Sequence, residues 1–334
     1  MSKPYIGGQA VLEGVMMRSP QSFVVAVRKP EGTIAVREQP WTTFFSGVRF
    51  LRWPFVRGGV VLLESLHNGF SALKFSAEHA LPEEPAKQSA NGAAASRKLD
   101  LSSSVMLVVA TIFMLGLFIA APHLLTYGLS RLVGPSLDSR GVLFQLVDGV
   151  LRLAILLGYL LAISKTRDAA RLFQYHGAEH KAIWTYESGL PLTVENARPF
   201  TTFHPRCGTS FLFVVVCVAV LLHVALLPLV PTLSSNRLVH QLLLVLIKVP
   251  IAFPIAGIAY ELQRLSARER CPSIIRALTR PGIWLQRITT REPTDGQLEI
   301  ALLALERALA REEGRSRAAD GVAVYRDFGM GMAA

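Results

Sequence analysis

Four stretches of this chain are each long and apolar enough to cross a lipid bilayer, and they constrain everything else it can fold into. A hydrocarbon core about 30 Å thick needs about 20 apolar residues as a helix. Residues 104–125, 142–163, 211–230 and 238–260 meet that length. Lipid offers no partner to a backbone N–H or C=O, so each stretch must satisfy its own and therefore be helical. The first carries no acid, lysine or arginine. The second holds Asp148 and Arg152, which at i,i+4 share a helix face and can neutralise each other. The fourth is interrupted by Lys248, Pro250 and Pro254; a proline removes a donor and crowds the preceding turn, which predicts a kink. Charged residues make up 18% of the 334, below the roughly 25% of soluble domains.

The loops set the orientation. Residues 1–60 hold eight Lys or Arg against three Glu, the 164–210 loop holds six basic residues, and 264–291 holds seven arginines. The 126–141 loop has Arg131 and Arg140, and the 231–237 loop has Arg237. Basic residues stay on the cytoplasmic side, so both termini and the 164–210 loop are expected in the cytoplasm. The formal net charge of +11 then reflects loops facing anionic lipid rather than nucleic acid. Cys207, Cys217 and Cys271 are odd in number and widely spaced, and give no disulfide framework.

Outside the spans, residues 22–38 read as two β-prone runs around KPEG, a hairpin whose turn uses Pro30 and Gly32. Ahead of it, Gly7–Gly8 allows a close backbone approach and opens a turn into a strand or helix. Residues 60–75 read as a helix at the membrane interface, preceded by aromatics and arginines suited to the headgroup boundary. Residues 81–100 have linker composition. From about Gln297 a partly amphipathic helix is expected, capped by Asp295 and docked on the N-terminal part or a partner, with a frayed C-terminus. The expected division is a cytoplasmic and interfacial region 1–80, a flexible linker 81–100, a four-span domain 101–263 with a His-rich loop 164–210, and a basic segment with an amphipathic helix at 264–334.

The loop between the second and third spans carries the candidate chemistry. In YHGAEHKAIWTYESG, residues 175–189, His176 and His180 stand four apart and Glu179 precedes the second. On a helix the two imidazoles lie one turn apart on one face, able to hold one ion. The order H-x-x-E-H reverses the H-E-x-x-H zinc helix. Two imidazoles make half a tetrahedral site, and FHPRCG, residues 203–208, offers His204 and Cys207 within the same loop. Glu187 and Glu195 are further local candidates. Two readings stay open: a metal site, Zn²⁺ or another divalent transition metal, with Glu179 as catalytic base, or a polar cluster sealing helix ends. His79 and His123 have no local ligand pattern, His223 and His240 read as packing or hydrogen-bonding residues, and Cys217 as filler within a span.

GGQAVLEGVMMRSP, RGGVVLLESLHNGFSAL, YHGAEHKAIWTYE and FHPRCGTSF together resemble the YqhQ-like family over roughly residues 4–290. The resemblance implies a bacterial cytoplasmic-membrane protein of unknown function, described as a metal-dependent enzyme, with the histidine-rich loop as its site. The expected fold is an α-helical integral membrane protein with about four transmembrane helices and a small mixed α/β N-terminal cytoplasmic region. The expected function is a metal-dependent hydrolase at the cytoplasmic face, with His176, His180, His204 and Cys207 on the metal. The alternatives are a non-catalytic scaffold with a structural metal or polar cluster, and a small transporter using Asp148, Arg152 and Lys248. Expected partners are the bilayer with its anionic lipid and a second copy or another protein, and no nucleic acid.

Overall fold

The computed structural model describes residues 4–41, 43, 48–81, 105, 108–134, 137–139, 141–266, 272–315 and 321–333. The linker expected at 81–100 therefore lies, from residue 82 on, outside the described residues.

Two layers meet. One is a bundle of four helices long and apolar enough to span a membrane: α2 (Val108–Val133), α3 (Val142–Ile163), α5 (Gly208–Leu229) and α6 (Arg237–Ser266). The first includes a π-helical turn at Gly116–Ala120. Their outward positions are apolar and exposed, among them Ile112, Phe113, Val150, Leu221 and Leu246, the surface a bilayer would cover. The protein is a multi-pass membrane protein with four candidate spans. α6 runs helical through both Pro250 and Pro254. The earlier helix α1 (Arg57–Ala80) is not among the candidate spans. It carries Glu64, His67, Asn68 and Lys74 along its length.

The other layer is a five-stranded antiparallel meander, in sheet order β1 to β5. It comprises β1 (Gly7–Val11), β2 (Gly14–Arg18), β3 (Ser22–Arg28), β4 (Ile34–Pro40) and β5 (Gly321–Tyr325). The hairpin expected at 22–38 is present as β3 and β4, and Gly32 takes the left-handed conformation in its turn (φ 91°). GGQAVLEGVMMR forms a second hairpin, closed at Val11 and Gly14. β3 does not alternate: Phe23 to Val27 are all buried, because both faces of the sheet are covered. Val24 and Ala26 face a core shared with α4 (Arg167–Glu187) and α8 (Asp295–Glu312). Phe23, Val25 and Val27 face Ala72 and Phe75 of α1.

The C-terminal helix α8 departs from its expected amphipathic form. Ile300 to Leu305 are all fully buried, since the sheet, α4 and the short α9 (Phe328–Ala333) enclose it. Its N-cap is Thr294, in a capping box with Gln297, rather than Asp295. A side chain at Asp295 lies one position too late to reach the N–H groups of the first turn. The last residues, expected to fray, instead pack Phe328 and Met332 onto the core. One buried ion pair ties the two ends of the chain together: Arg307 of α8 donates to Glu38 of β4 at 2.6 Å.

Candidate metal centre

α4 begins at Thr166, whose hydroxyl accepts from Ala169 N–H, with Asp168 in the first turn. Both features suit the positive end of a helix. The helix must sit beside the β layer on one side and carry the site on another. Ala178 and Ala182 face the core. His176, Glu179 and His180 share the site face, as the three- and four-residue spacing requires. The second component is the loop before α5. Cys207 is the N-cap of that span, its Sγ accepting from Thr209 N–H. The third component is α7 (Ser273–Thr289). Its Gln286 accepts from His204 N–H at 2.8 Å and donates to His204 O at 2.7 Å, so it fixes the FHPRCG loop by both backbone groups of one residue.

These three components aim the imidazoles. His176 Nδ1 lies 2.8 Å from Thr289 O, and His180 Nδ1 bonds Thr202 O. A carbonyl only accepts, so each Nδ1 carries a proton, and Nε2 is the ring atom left to offer a lone pair to an ion. His176 Nε2 stands 3.1 Å from Cys207 Sγ. The ligand atoms of His176, His180 and Cys207 all lie within 4.8 Å of one another. His180 Nε2 is fully buried and has no hydrogen-bond partner. A buried acceptor left without a donor is destabilising, and a bound cation would satisfy it. Two imidazoles and a thiolate are a good donor set for a borderline-soft ion. The residues present therefore fit a metal.

Glu179 lies against this set. Its Oε2 is 3.9 Å from His176 Nε2 and 4.0 Å from His180 Nε2. Burial pushes its carboxyl above the usual carboxylate range, with His176, His204 and the N–H of Gly8 acting the other way. β1 reaches Glu179 closely because Gly8 has no side chain: a Cβ there would sit 2.7 Å from Glu179 Cγ. Burial also lowers the pKa of His180, against the pull of Cys207. It lowers that of His204 to about 4, with Glu179 opposing. Both rings are neutral near pH 7, the form that binds metal.

His204 stands beside the three-donor group. Its ring is 5.7 Å from that of His180 and 4.9 Å from Trp184. Its Nδ1 accepts from Arg206 N–H, and its Nε2 faces Glu187 Oε2 at 3.5 Å. Glu187 also pairs with Arg206. Glu195 is on a separate turn of helix, Val194–Ala197. The carbonyls of Thr202 and Thr289 and the Gln286 clamp were not foreseen. Backbone acceptors have no residue signature, and a glutamine in a basic amphipathic segment carries none either.

Gly177 offers a direct test of this packing. A Cβ there would lie 2.1 Å from Arg291 O, and Arg291 N–H already bonds Phe173 O of the same helix. Backbone on both sides leaves little room to yield. Gly177→Ala is expected to lower stability by about 1–3 kcal/mol, the usual effect of overpacking, read as a lower thermal unfolding midpoint in detergent. An unchanged midpoint would mean the 289–291 segment is not held against α4.

Residues 53–311 match the family described as Protein of unknown function (DUF1385). Over 321 residues the chain is 32% identical to the uncharacterized protein YqhQ of Bacillus subtilis (strain 168), covering 92% of this chain and 93% of that one. No solved structure matches. The match over most of the chain agrees with its four apolar helices, β layer and His/His/Cys cluster: the chain belongs to the DUF1385 family.

Proposed function

We propose that this protein is a metal-dependent hydrolase working at the cytoplasmic surface of the cell membrane. The observation that carries the reading is the matched pair of Nδ1-to-carbonyl hydrogen bonds on His176 and His180, which leave both Nε2 atoms turned towards Cys207. Such outer partners fix ring orientation and tautomer in metal sites. His176, His180 and Cys207 would hold the ion, and Zn²⁺ is the ion that best suits two nitrogens and one sulfur. Bound there, it would supply Lewis acidity to a polarised substrate bond.

Glu179 would take a proton from the attacking water. Its carboxylate is held beside the donor atoms by the Gly8 backbone, and a carboxyl raised by burial has a pKa closer to working pH, which suits a general base. Three protein donors leave one coordination position open, the arrangement of catalytic rather than structural zinc. Recruitment of His204 as a fourth donor would close the site and make the ion structural. Cys207 directly precedes a span, so the centre lies at one end of the bundle. The six basic residues of the 164–210 loop support the cytoplasmic side for that end, where they also meet anionic lipid.

Glu179→Gln separates the roles. The variant is expected to keep the wild-type metal content and unfolding midpoint, and to lose turnover in a screen of amide, ester and phosphoester substrates presented in membranes. Loss of metal together with turnover would make Glu179 a ligand and remove the base assignment.

A further inference from the structure

The span bundle encloses a second polar cluster, far from the metal centre and unexplained by it. Asp148 of α3 accepts from Arg152 at 2.9 Å and from Lys248 of α6 at 3.0 Å. Lys248 also donates to His123 Nδ1 of α2 at 2.9 Å. His123 Nε2 in turn bonds Gln241 Oε1 at 3.0 Å. Asp148, His123 and Lys248 are each 1% exposed or less, and Arg152 is 6% exposed.

Two features of this cluster are unbalanced. Among the described residues, Asp148 is the one carboxylate paired with either cation, so two positive groups face a single negative one. An uncompensated charge within a span is costly and defaults to a functional role. The cluster also holds polar groups without partners, with an N–H on each of two residues. Arg152 Nε is buried and has no partner, and neither ring nitrogen of His223 has one. His223 is 2% exposed and lies within electrostatic reach of Lys248, Arg152, Asp148 and His123. Surplus positive charge and unmet N–H groups are what an anion would satisfy.

A cavity adjoins one end of this hydrogen-bonded chain. At the end of the bundle opposite the metal centre, Gly134, Leu137, Asp138 and Ser139 on one side and Thr232, Ser234 and Ser235 on the other border an open cavity of about 800 Å³. Arg131 and Arg237 line it, and so does Gln241. Gln241 therefore touches the cavity with one end of the hydrogen-bonded chain that leads through His123 to Lys248.

We propose that Arg152, Lys248 and His223 bind a small monovalent anion inside the span bundle, a halide or a compact carboxylate, which enters from this cavity past Gln241 and His123. Asp148 holds the two cations in position, and the anion balances the one it leaves over. The proposal stands apart from the metal site.

The test uses full-length protein purified in detergent in gluconate buffer, titrated at constant ionic strength with chloride and, separately, with formate. A rise in the thermal unfolding midpoint that grows with the logarithm of anion concentration is expected, reaching about 5 °C at about 100 times the dissociation constant for a chain of this length. A response to chloride identifies a halide site, and one to formate alone identifies a carboxylate site. Lys248→Met leaves a neutral Asp148–Arg152 pair and should fold without the response. A His176→Ala, His180→Ala double variant should keep it, which separates this site from the metal centre. If Lys248→Met does not fold, retention of labelled chloride and formate by wild type decides, with about one anion per chain expected. No response and no retention for either anion, or an equal response in Lys248→Met, would overturn the proposal.

Discussion

Cys207→Ser is expected to strip the metal from this protein while leaving its fold in place. The two roles of Cys207 come apart in this variant. Sγ caps α5 by accepting from Thr209 N–H, and serine is among the best N-cap residues, so the span should begin where it does now. The same sulfur stands 3.1 Å from His176 Nε2 in the donor group. A serine hydroxyl there is a hard oxygen that stays protonated near neutral pH, a poor substitute for a thiolate towards a borderline-soft ion. Losing an outer-shell partner typically weakens metal binding about 10–100-fold, and losing a direct ligand should exceed that. The check is metal affinity by chelator competition beside the unfolding midpoint of metal-free protein. An affinity within tenfold of wild type would place the ion elsewhere or nowhere.

Glu38→Ala should be the most destabilising single substitution in the β layer. Glu38 and Arg307 are 1% and 3% exposed, and 2.6 Å separates Arg307 Nε from Glu38 Oε1. Removing the acid leaves the guanidinium buried without its carboxylate, an effect of about 3–5 kcal/mol. The Tyr325 ring, 6.0 Å from Arg307, offers a weak substitute. Because Glu38 is on β4 and Arg307 on α8, the loss should loosen the contact between the two ends of the chain. Hydrogen exchange should therefore rise together in β4, β5 and α8. The paired change Glu38→Met, Arg307→Leu should recover most of the stability, since a buried ion pair often contributes no more than apolar residues of similar size. If Glu38→Ala alone is neutral, Arg307 reaches water or another acid.

The spans were the most legible part of the chain, because lipid imposes a length and a composition that no other environment requires. The second matches residue for residue at 142–163, and the ends of the others shift by one to eight residues, most at the C-terminal ends of the first and fourth. The KPEG hairpin was legible from its turn. β5 and the enclosure of α8 were not: both depend on chain ends meeting across about 280 residues of sequence, and no local period records that. The continuous apolar run of β3 hid its strand alternation for the same reason, since α1 and α8 cover opposite faces.

In the candidate site, spacing alone placed His176, Glu179 and His180 on one helix face, and the fold brought Cys207 to them. Gly8 was legible only as a residue permitting close approach; that it approaches Glu179 follows from how β1 crosses α4. The Asp148–Arg152 pair was readable at i,i+4. Lys248 was grouped with that pair as an ionisable residue within a span, but the addition of His123 was not legible, because it comes from another span and shares no motif with them.

The central claim is that His176, His180 and Cys207 hold a metal ion, and its most direct test is elemental analysis of untagged, detergent-purified protein beside a His176→Ala, His180→Ala variant. The account predicts about one transition-metal ion per chain in wild type, with zinc the leading candidate, and none in the folded variant. Wild-type protein without metal, even after resupply under reducing conditions, would contradict it.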